Sequence, residues 1–201
     1  MANKRLFLNV SSALEIPGAT FPKQHTAYKS LVSQLPNSPR ILEIGCGYGR
    51  STWAWLDVLP KNTSYYVLDN FKLQYHTFRR WSGSFAKRAI KLKMSQREIF
   101  DTVIKRHPNE SIIKQVWHME GRDWIQSEYF TNEWDLVYID DDHTYYTVKT
   151  WLKNFNKVSI VCGDDYCSDW EGVMNAVDEY SISNLCTKEI MPGNFFVIKN
   201  T

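Results

Sequence analysis

Arg40-Ile41-Leu42-Glu43-Ile44-Gly45-Cys46-Gly47-Tyr48-Gly49 decides the reading of this chain. Its first half is a short apolar run, which reads as a buried strand, and glycines at alternate positions then break it. Ser51-Thr52-Trp53-Ala54-Trp55-Leu56 starts a helix directly afterwards, and Ser64-Tyr65-Tyr66-Val67-Leu68-Asp69 reads as a second strand. Strand, glycine turn, helix and strand in that order form a βαβ unit, whose two strands must run parallel.

The same alternation continues outward. Residues 111–117, 134–140 and 158–162 read as further strands, and 144–155 and 170–180 as helices. Residues 185–190 and 194–199, joined through Met191-Pro192-Gly193, read as a closing antiparallel hairpin. Upstream, Ala27, Tyr28, Leu31, Val32 and Leu35 fall at helical spacing, so a helix is expected over 24–35, stopped by Pro36. Residues 1–23 look irregular, and 1–39 form a lead-in. The sum is a doubly wound α/β sheet of seven strands, mostly parallel, in one domain over 1–201.

Residues 70–109 interrupt this rhythm and exceed a normal βαβ connection. The stretch holds ten lysines and arginines against Glu98 and Asp101 alone. Ser95-Gln96-Arg97-Glu98 fits a capping box, so a helix begins there. A lid over a ligand, a grip for an anionic acceptor and a solvated helical face are three readings of this insertion. Tyr75, Phe78, Trp81 and Phe85 sit at a spacing that suits either a pocket wall or a packed helix.

The 201 residues match one domain of roughly 100–200 residues. Apolar content of 43% and charged content of 23% are globular, which excludes disorder, collagen and coiled coil. A formal charge of +2 gives no independent case for nucleic acid. No window approaches about 18 apolar residues, so no membrane span is expected, and the broken apolar stretch at the start does not read as a signal peptide. Cys46, Cys162, Cys167 and Cys186 form no CxxC pair, so zinc is not expected. They read as reduced thiols of a cytoplasmic protein. A homo-oligomer is compatible with this composition. Trp53, Trp55, Trp117 and Trp151 lie inside predicted elements and read as core; His25, His76, His107 and His118 read as surface or packing residues.

The glycine spacing is GxGxG, not GxGxxG, and no lysine follows in P-loop register, which argues against a nucleoside triphosphate. Glycine at such a turn lets backbone pass close beneath a ligand. Asp69 ends the second strand 24 residues after Gly45. A carboxylate there can accept both hydroxyl hydrogens of a ribose. Gly45, Gly47 and Asp69 together indicate an adenosine-type ligand across the strand tips; a tight turn and a loop carboxylate are the bland alternatives.

Two further groups lie at strand ends: Asp140-Asp141-Asp142-His143, and Gly163-Asp164-Asp165-Tyr166. If their strands are neighbours, Asp140, Asp164 and Asp165 converge. Three carboxylates at one point repel unless a cation joins them. Oxygen ligands favour Mg²⁺, Mn²⁺ or Ca²⁺ over zinc. The alternative is two acidic surface turns.

The glycine motif resembles the class I S-adenosylmethionine-dependent methyltransferases, from about Ile41 onward, and implies their Rossmann-like fold. The resemblance places Glu43, Gly45, Gly47 and Asp69 against the cofactor. After the third strand that family carries Gly-Asp-Ser or Gly-Asp-Ala. Here Glu120-Gly121-Arg122-Asp123-Trp124 puts arginine in the acidic slot, and Gly121, Arg122 and Trp124 are the adenine candidates. The stretch Asp135–Tyr145 followed by Gly163–Tyr166, and then by Gly172, Val173, Asn175, Ala176 and Val177, resembles the metal-dependent O-methyltransferases that act on sugars and macrolide sugars, with catechol-type enzymes as more distant relatives. That resemblance implies Mg²⁺ (or Mn²⁺) on Asp140, Asp164 and Asp165, with Asp140 also beside the cofactor and the chemistry. It implies His143 as general base, a role for which imidazole's pKa of about 6.5 is suited. A helix-capping histidine, or one that orients an aspartate, is the other reading of His143. The expected reaction is methyl transfer to a vicinal hydroxyl of a sugar, as part of a small molecule or glycan. Alternatives are a catechol-like acceptor or, on the basic insertion, a nucleic acid.

Overall fold

The computed structural model describes residues 10–18, 22–72 and 93–200. Among them the strands are β1 (Arg40–Ile44), β2 (Ser64–Asp69), β3 (Ile113–His118), β4 (Leu136–Ile139), β5 (Ile160–Gly163), β6 (Thr187–Met191) and β7 (Phe195–Lys199). The helices are α1 (Pro22–Val32), α2 (Arg50–Leu56), α3 (Gln96–Ile104), α4 (Gly121–Ile125), α5 (Tyr145–Asn154) and α6 (Glu171–Ser183). The strands form one sheet in the order β3-β2-β1-β4-β5-β7-β6. All neighbours up to β5 are parallel, and β7 runs antiparallel to both β5 and β6.

Strand periodicity divides the core into two layers. Ile41, Tyr65, Val67, Leu136, Tyr138, Cys162, Phe195 and Val197 face one layer, with Tyr28 of α1 and Trp55 of α2. Leu42, Ile44, Leu68, Val137, Ile139, Val161, Phe196 and Ile198 face the other, with Trp124, Trp151 and Phe155. This alternation is the period of two that a pleated strand imposes. Burial of one such side chain stabilises by roughly 1.5–3 kcal/mol, so β1 alone gains several kcal/mol from Ile41, Leu42 and Ile44. That gain offsets the carboxyl of Glu43, which the same strand carries into the interior.

Local differences from the expected elements have local causes. The expected strand over 111–117 begins at Ile113, because Glu110–Ile112 is a 3-10 turn that buries Ile112. The helix expected over 24–35 runs Pro22–Val32 and unwinds through turns to Leu35. Ala13–Glu15 forms a 3-10 turn in the lead-in. Within the insertion the capping box is present: Ser95 Oγ accepts from Glu98 N, and Glu98 accepts from Ser95 N. Its helix α3 buries Ile99, Phe100, Val103 and Ile104 in the first layer, so this part of the insertion is core. Tyr75, His76, Phe78, Trp81, Phe85 and the lid reading that rests on them lie outside the described residues. His107 is buried, with Nε2 3.1 Å from Asp57 and Nδ1 accepting from Asn109 N. No helix among the described residues is long and apolar enough to cross a membrane.

β1 and β4 are neighbours, and the chain leaves β1 toward β2 but β4 toward β5, so the connections part to opposite sides at the carboxyl end of this strand pair. That end is a topological switch point, the place where open α/β sheets form a ligand crevice.

Candidate active site

The turn after β1 is shaped by contacts only glycine permits. Gly45 N donates to Leu68 O at 2.9 Å, and Asp140 N donates to Ile44 O at 2.8 Å. Gly45 has φ +83°, and a Cβ on it would lie 1.9 Å from the carbonyl oxygen of Asp140. The tips of β1, β2 and β4 are thereby drawn together. Gly47, at φ +57°, donates its N–H to Asp69 Oδ2 at 2.8 Å, while Phe71 N donates to Asp69 Oδ1. Asp69 therefore holds the glycine turn as well as facing the cleft. The Cys46 thiol bonds the same carboxylate. Burial raises its pKa, opposed by the two backbone donors.

Glu43 lies elsewhere. It is fully buried under α2, accepting from Ser51 Oγ and Thr52 Oγ1 at 2.5 Å and from Tyr65 OH at 3.0 Å. Burial pushes its pKa up to about 7 against these three donors. It braces the helix behind the glycine turn and does not line the cleft, which corrects the cofactor contact expected of it.

The cleft beyond the strand tips is lined by Ile44, Gly45, Leu68, Asp69, Asn70, Met119, Glu120, Gly121 and Asp141. Gly121 is among these residues, packed on Trp151: a Cβ would come within 2.4 Å of that ring. Arg122 is exposed on α4 and is not among the lining residues. Trp124 is fully buried among Trp117, Phe130, Trp151 and Phe155. It is a core residue that no ligand can reach, which corrects its reading as an adenine contact. Asn70, Met119, Glu120 and Asp141 are lining residues that sequence reasoning missed, although Asn70, Glu120 and Asp141 each adjoin a residue it singled out. Asn70 Nδ2 donates to Glu120 Oε2 at 3.2 Å, and Lys72 pairs with Glu120, so a polar clasp joins the ends of β2 and β3. Asp141 Oδ2 accepts from Trp151 Nε1 at 3.0 Å.

The second group lies across Asp140, at the neighbouring tips of β4 and β5. Oxygen and nitrogen atoms of Asp140, His143 and Asp165 all fall within 4.8 Å of one another. His143 Nε2 is 2.5 Å from Asp165 Oδ2 and 3.9 Å from Asp140 Oδ1. The His143 ring stacks on Trp170, centroids 4.3 Å apart. Asp165 reaches this point from a left-handed backbone, φ +62°, which a non-glycine residue adopts only where its surroundings hold it. The expected trio of Asp140, Asp164 and Asp165 is thus modified. Asp164 is nearly fully buried, with Oδ1 occupied by Gln24 Nε2 at 2.5 Å and Asp165 N at 2.7 Å, and His143 stands in the third place. Asp164 still acts through its charge. Burial and the adjacent Asp165 push its carboxyl up to about 7. The Asp140 carboxyl is likewise raised well above the carboxylate range, by burial and then by Asp164 and Asp165. Such a pocket of crowded acids gains most from a bound cation.

A family profile described as "Methyltransferase domain" matches residues 42–166, more than half of the chain. The chain belongs to the methyltransferase-domain family. The matched segment starts in β1 and ends just past Asp165, so it spans both halves of the site. No curated relative matches the sequence.

Solved structures share the methyltransferase's fold across nearly its whole length. An O-methyltransferase from Bacillus cereus in complex with S-adenosylhomocysteine aligns with TM-score 0.61 at 16% identity, covering 97% of this chain and 94% of that one. An O-methyltransferase from Streptomyces achromogenes involved in tomaymycin synthesis, in complex with S-adenosylmethionine, aligns with TM-score 0.53 at 13% identity, covering 98% and 93%. A cyclopropane-fatty-acyl-phospholipid synthase-like protein from Lactobacillus casei aligns with TM-score 0.54 at 12% identity, covering 83% and 69%. At these identities the likeness is one of fold, the class I methyltransferase fold, and the acceptor must be argued from the side chains.

Proposed function

We propose that this methyltransferase moves the methyl group of S-adenosylmethionine to a hydroxyl of a ring-bearing acceptor, a vicinal diol of a sugar, beside a divalent cation. One observation carries the reading: Asp140 belongs to both halves of the site. Its backbone carbonyl packs on Gly45 of the cleft, and its carboxylate faces His143 and Asp165. A donor in the cleft and an acceptor at the acidic cluster would meet there.

The residues present fit both groups. Asp69, Glu120 and Asp141 line the cleft, so it is acidic, which suits a ligand with hydroxyl and amino hydrogens and a positive sulfonium. The carboxylates of Asp140 and Asp165 suit Mg²⁺ or Mn²⁺. The cation, when bound, supplies Lewis acidity that lowers the pKa of an acceptor hydroxyl and fixes its place.

The chain's own residues do the rest. Asp140 and Asp165 hold the acidic centre, with Asp164 adding charge behind them. His143 would take the hydroxyl proton at Nδ1 while Asp165, bonded to Nε2, balances the imidazolium. Trp170 is 44% exposed beside His143 and offers an aromatic platform to the acceptor ring. The four free thiols suit a reducing compartment such as the cytoplasm.

The test is turnover of labelled S-adenosylmethionine with a panel of monosaccharides, glycosides and catechols, with Mn²⁺ or Mg²⁺ and with excess EDTA. Metal-dependent labelling of a saccharide is expected. Labelling confined to catechols would move the acceptor to the aromatic alternative, and full activity in EDTA would remove the cation from the scheme.

A further inference from the structure

Helix α1 enters the site through one buried side chain. Gln24 is fully buried, and its amide nitrogen donates both to Asp164 Oδ1 at 2.5 Å and to the carbonyl of Gly193 at 3.0 Å. An amide nitrogen carries two hydrogens, so these bonds use both. Asp164 Oδ1 accepts a second bond from Asp165 N at 2.7 Å. That second bond closes the left-handed turn at Asp165, φ +62°, from which the Asp165 carboxylate reaches His143. Behind Gln24, the β6–β7 turn presses close. Gly193 has φ +90°, and a Cβ on it would lie 2.9 Å from Gln24 Cγ. Three distant parts of the chain therefore meet at one amide: α1, the loop after β5, and the closing hairpin.

We propose that Gln24 is a positioning residue of the acidic centre: from α1 it locks Asp164, and through the Asp164–Asp165 contact it sets the turn that presents Asp165 to His143 and Asp140. The role rests on the cation reading above and extends it to a residue that neither touches the cleft nor belongs to the acidic motifs. Gln24 acts on the cation half of the site, whereas Gly45, Gly47 and Asp69 shape the cofactor half without it. Loss of the amide should consequently separate the two binding functions. Asp164 would lose a donor on Oδ1 and be free to turn, and Asp165 would lose the fixed partner of its backbone N–H.

The experiment uses the full chain with Mn²⁺ as probe, read by electron paramagnetic resonance, and S-adenosylhomocysteine binding by calorimetry. Gln24→Met keeps the length of the side chain and removes both donors. It should weaken Mn²⁺ binding about tenfold, the lower end of the usual effect of removing a group that orients a metal ligand, because Gln24 reaches Asp165 only through Asp164, with S-adenosylhomocysteine affinity unchanged. Gln24→Asn, which keeps the amide but falls short of Asp164, should fall between, and it carries the test if the methionine variant does not fold. Tyr180→Phe loses a bond to Asn200 outside the site; it controls for general destabilisation and should leave Mn²⁺ binding alone. Equal Mn²⁺ affinity in wild type and both Gln24 variants would overturn the role of Gln24 while leaving the cation reading intact. Parallel loss of Mn²⁺ and S-adenosylhomocysteine binding would reduce Gln24 to a packing residue. A wild-type protein that binds no Mn²⁺ would overturn the cation reading and this role with it.

Discussion

Gly45→Ala is the sharpest perturbation of the scaffold that joins the two half-sites. Two costs add. The left-handed backbone at φ +83° costs an alanine about 1–2 kcal/mol. The new methyl would also stand 1.9 Å from the Asp140 carbonyl oxygen, 2.5 Å from its carbon and 2.9 Å from Asp141 N. All three are backbone atoms at the end of a central strand, so no side chain can swing away. Relief requires moving the tip of β1 or β4, and overpacking of that kind costs roughly another 1–3 kcal/mol. The expected loss is about 2–5 kcal/mol, a large share of a total domain stability of about 5–15 kcal/mol. Gly49→Ala is the internal control. Its φ is +94°, but its Cβ would meet only the side chains of Ile104 and Phe100 at 3.1 Å, which can shift. It should stay near the 1–2 kcal/mol backbone cost. Urea unfolding measures both, and calorimetry with S-adenosylhomocysteine should show binding lost in Gly45→Ala and kept in Gly49→Ala. Equal stability losses in the two variants would refute the argument that the Gly45–Asp140 contact sets the geometry.

The pKa of Glu43 is raised from 4.5 to about 7, so it stabilises the fold fully below pH 4.5 and loses that contribution as pH rises through 7. Glu43→Gln should therefore flatten the fall of Tm between pH 5 and 7.5; an unchanged slope would show that Glu43 is not its source. His143→Ala should lower kcat about 10²–10⁴-fold, the range for loss of a general base, and leave Mn²⁺ affinity in place. Loss of Mn²⁺ binding would instead make His143 a ligand. Trp170→Ala should raise KM for the ring-bearing acceptor several-fold, in line with about 0.5–1.5 kcal/mol for ring stacking, without moving KM for S-adenosylmethionine. An unchanged acceptor KM would remove the platform.

The order of elements was legible in the sequence because each strand carries its own period, as Ile41 and Leu42 divide between the two core layers in the way alternation requires. The capping box at Ser95 was equally legible, since its signal is local. The ends of elements were less so: whether Ile112 enters β3 or a turn depends on packing that no short window contains. At the site, acidic residues at strand ends could be placed at one edge of the sheet from topology alone. Which of them meet could not. His143 stands with Asp140 and Asp165 because Asp164 is turned aside by Gln24, 140 residues distant in the chain. Glu43 and Trp124 mark a second blind spot. A polar or aromatic residue beside a glycine motif reads as a ligand contact, whereas three hydroxyls and a cluster of rings make these two interior. Asn70 and Glu120 are the converse case, contacts across two strand ends that carry no motif of their own.

The central claim is that Asp140 and Asp165, beside His143, hold a divalent cation at the edge of the cofactor cleft. Mn²⁺ titration of wild type and Asp140→Asn, each with and without S-adenosylhomocysteine, tests it most directly. One Mn²⁺ per chain in wild type, with at least tenfold weaker binding in Asp140→Asn, is the predicted result. Mn²⁺ binding that Asp140→Asn leaves untouched, or none in wild type, would contradict it.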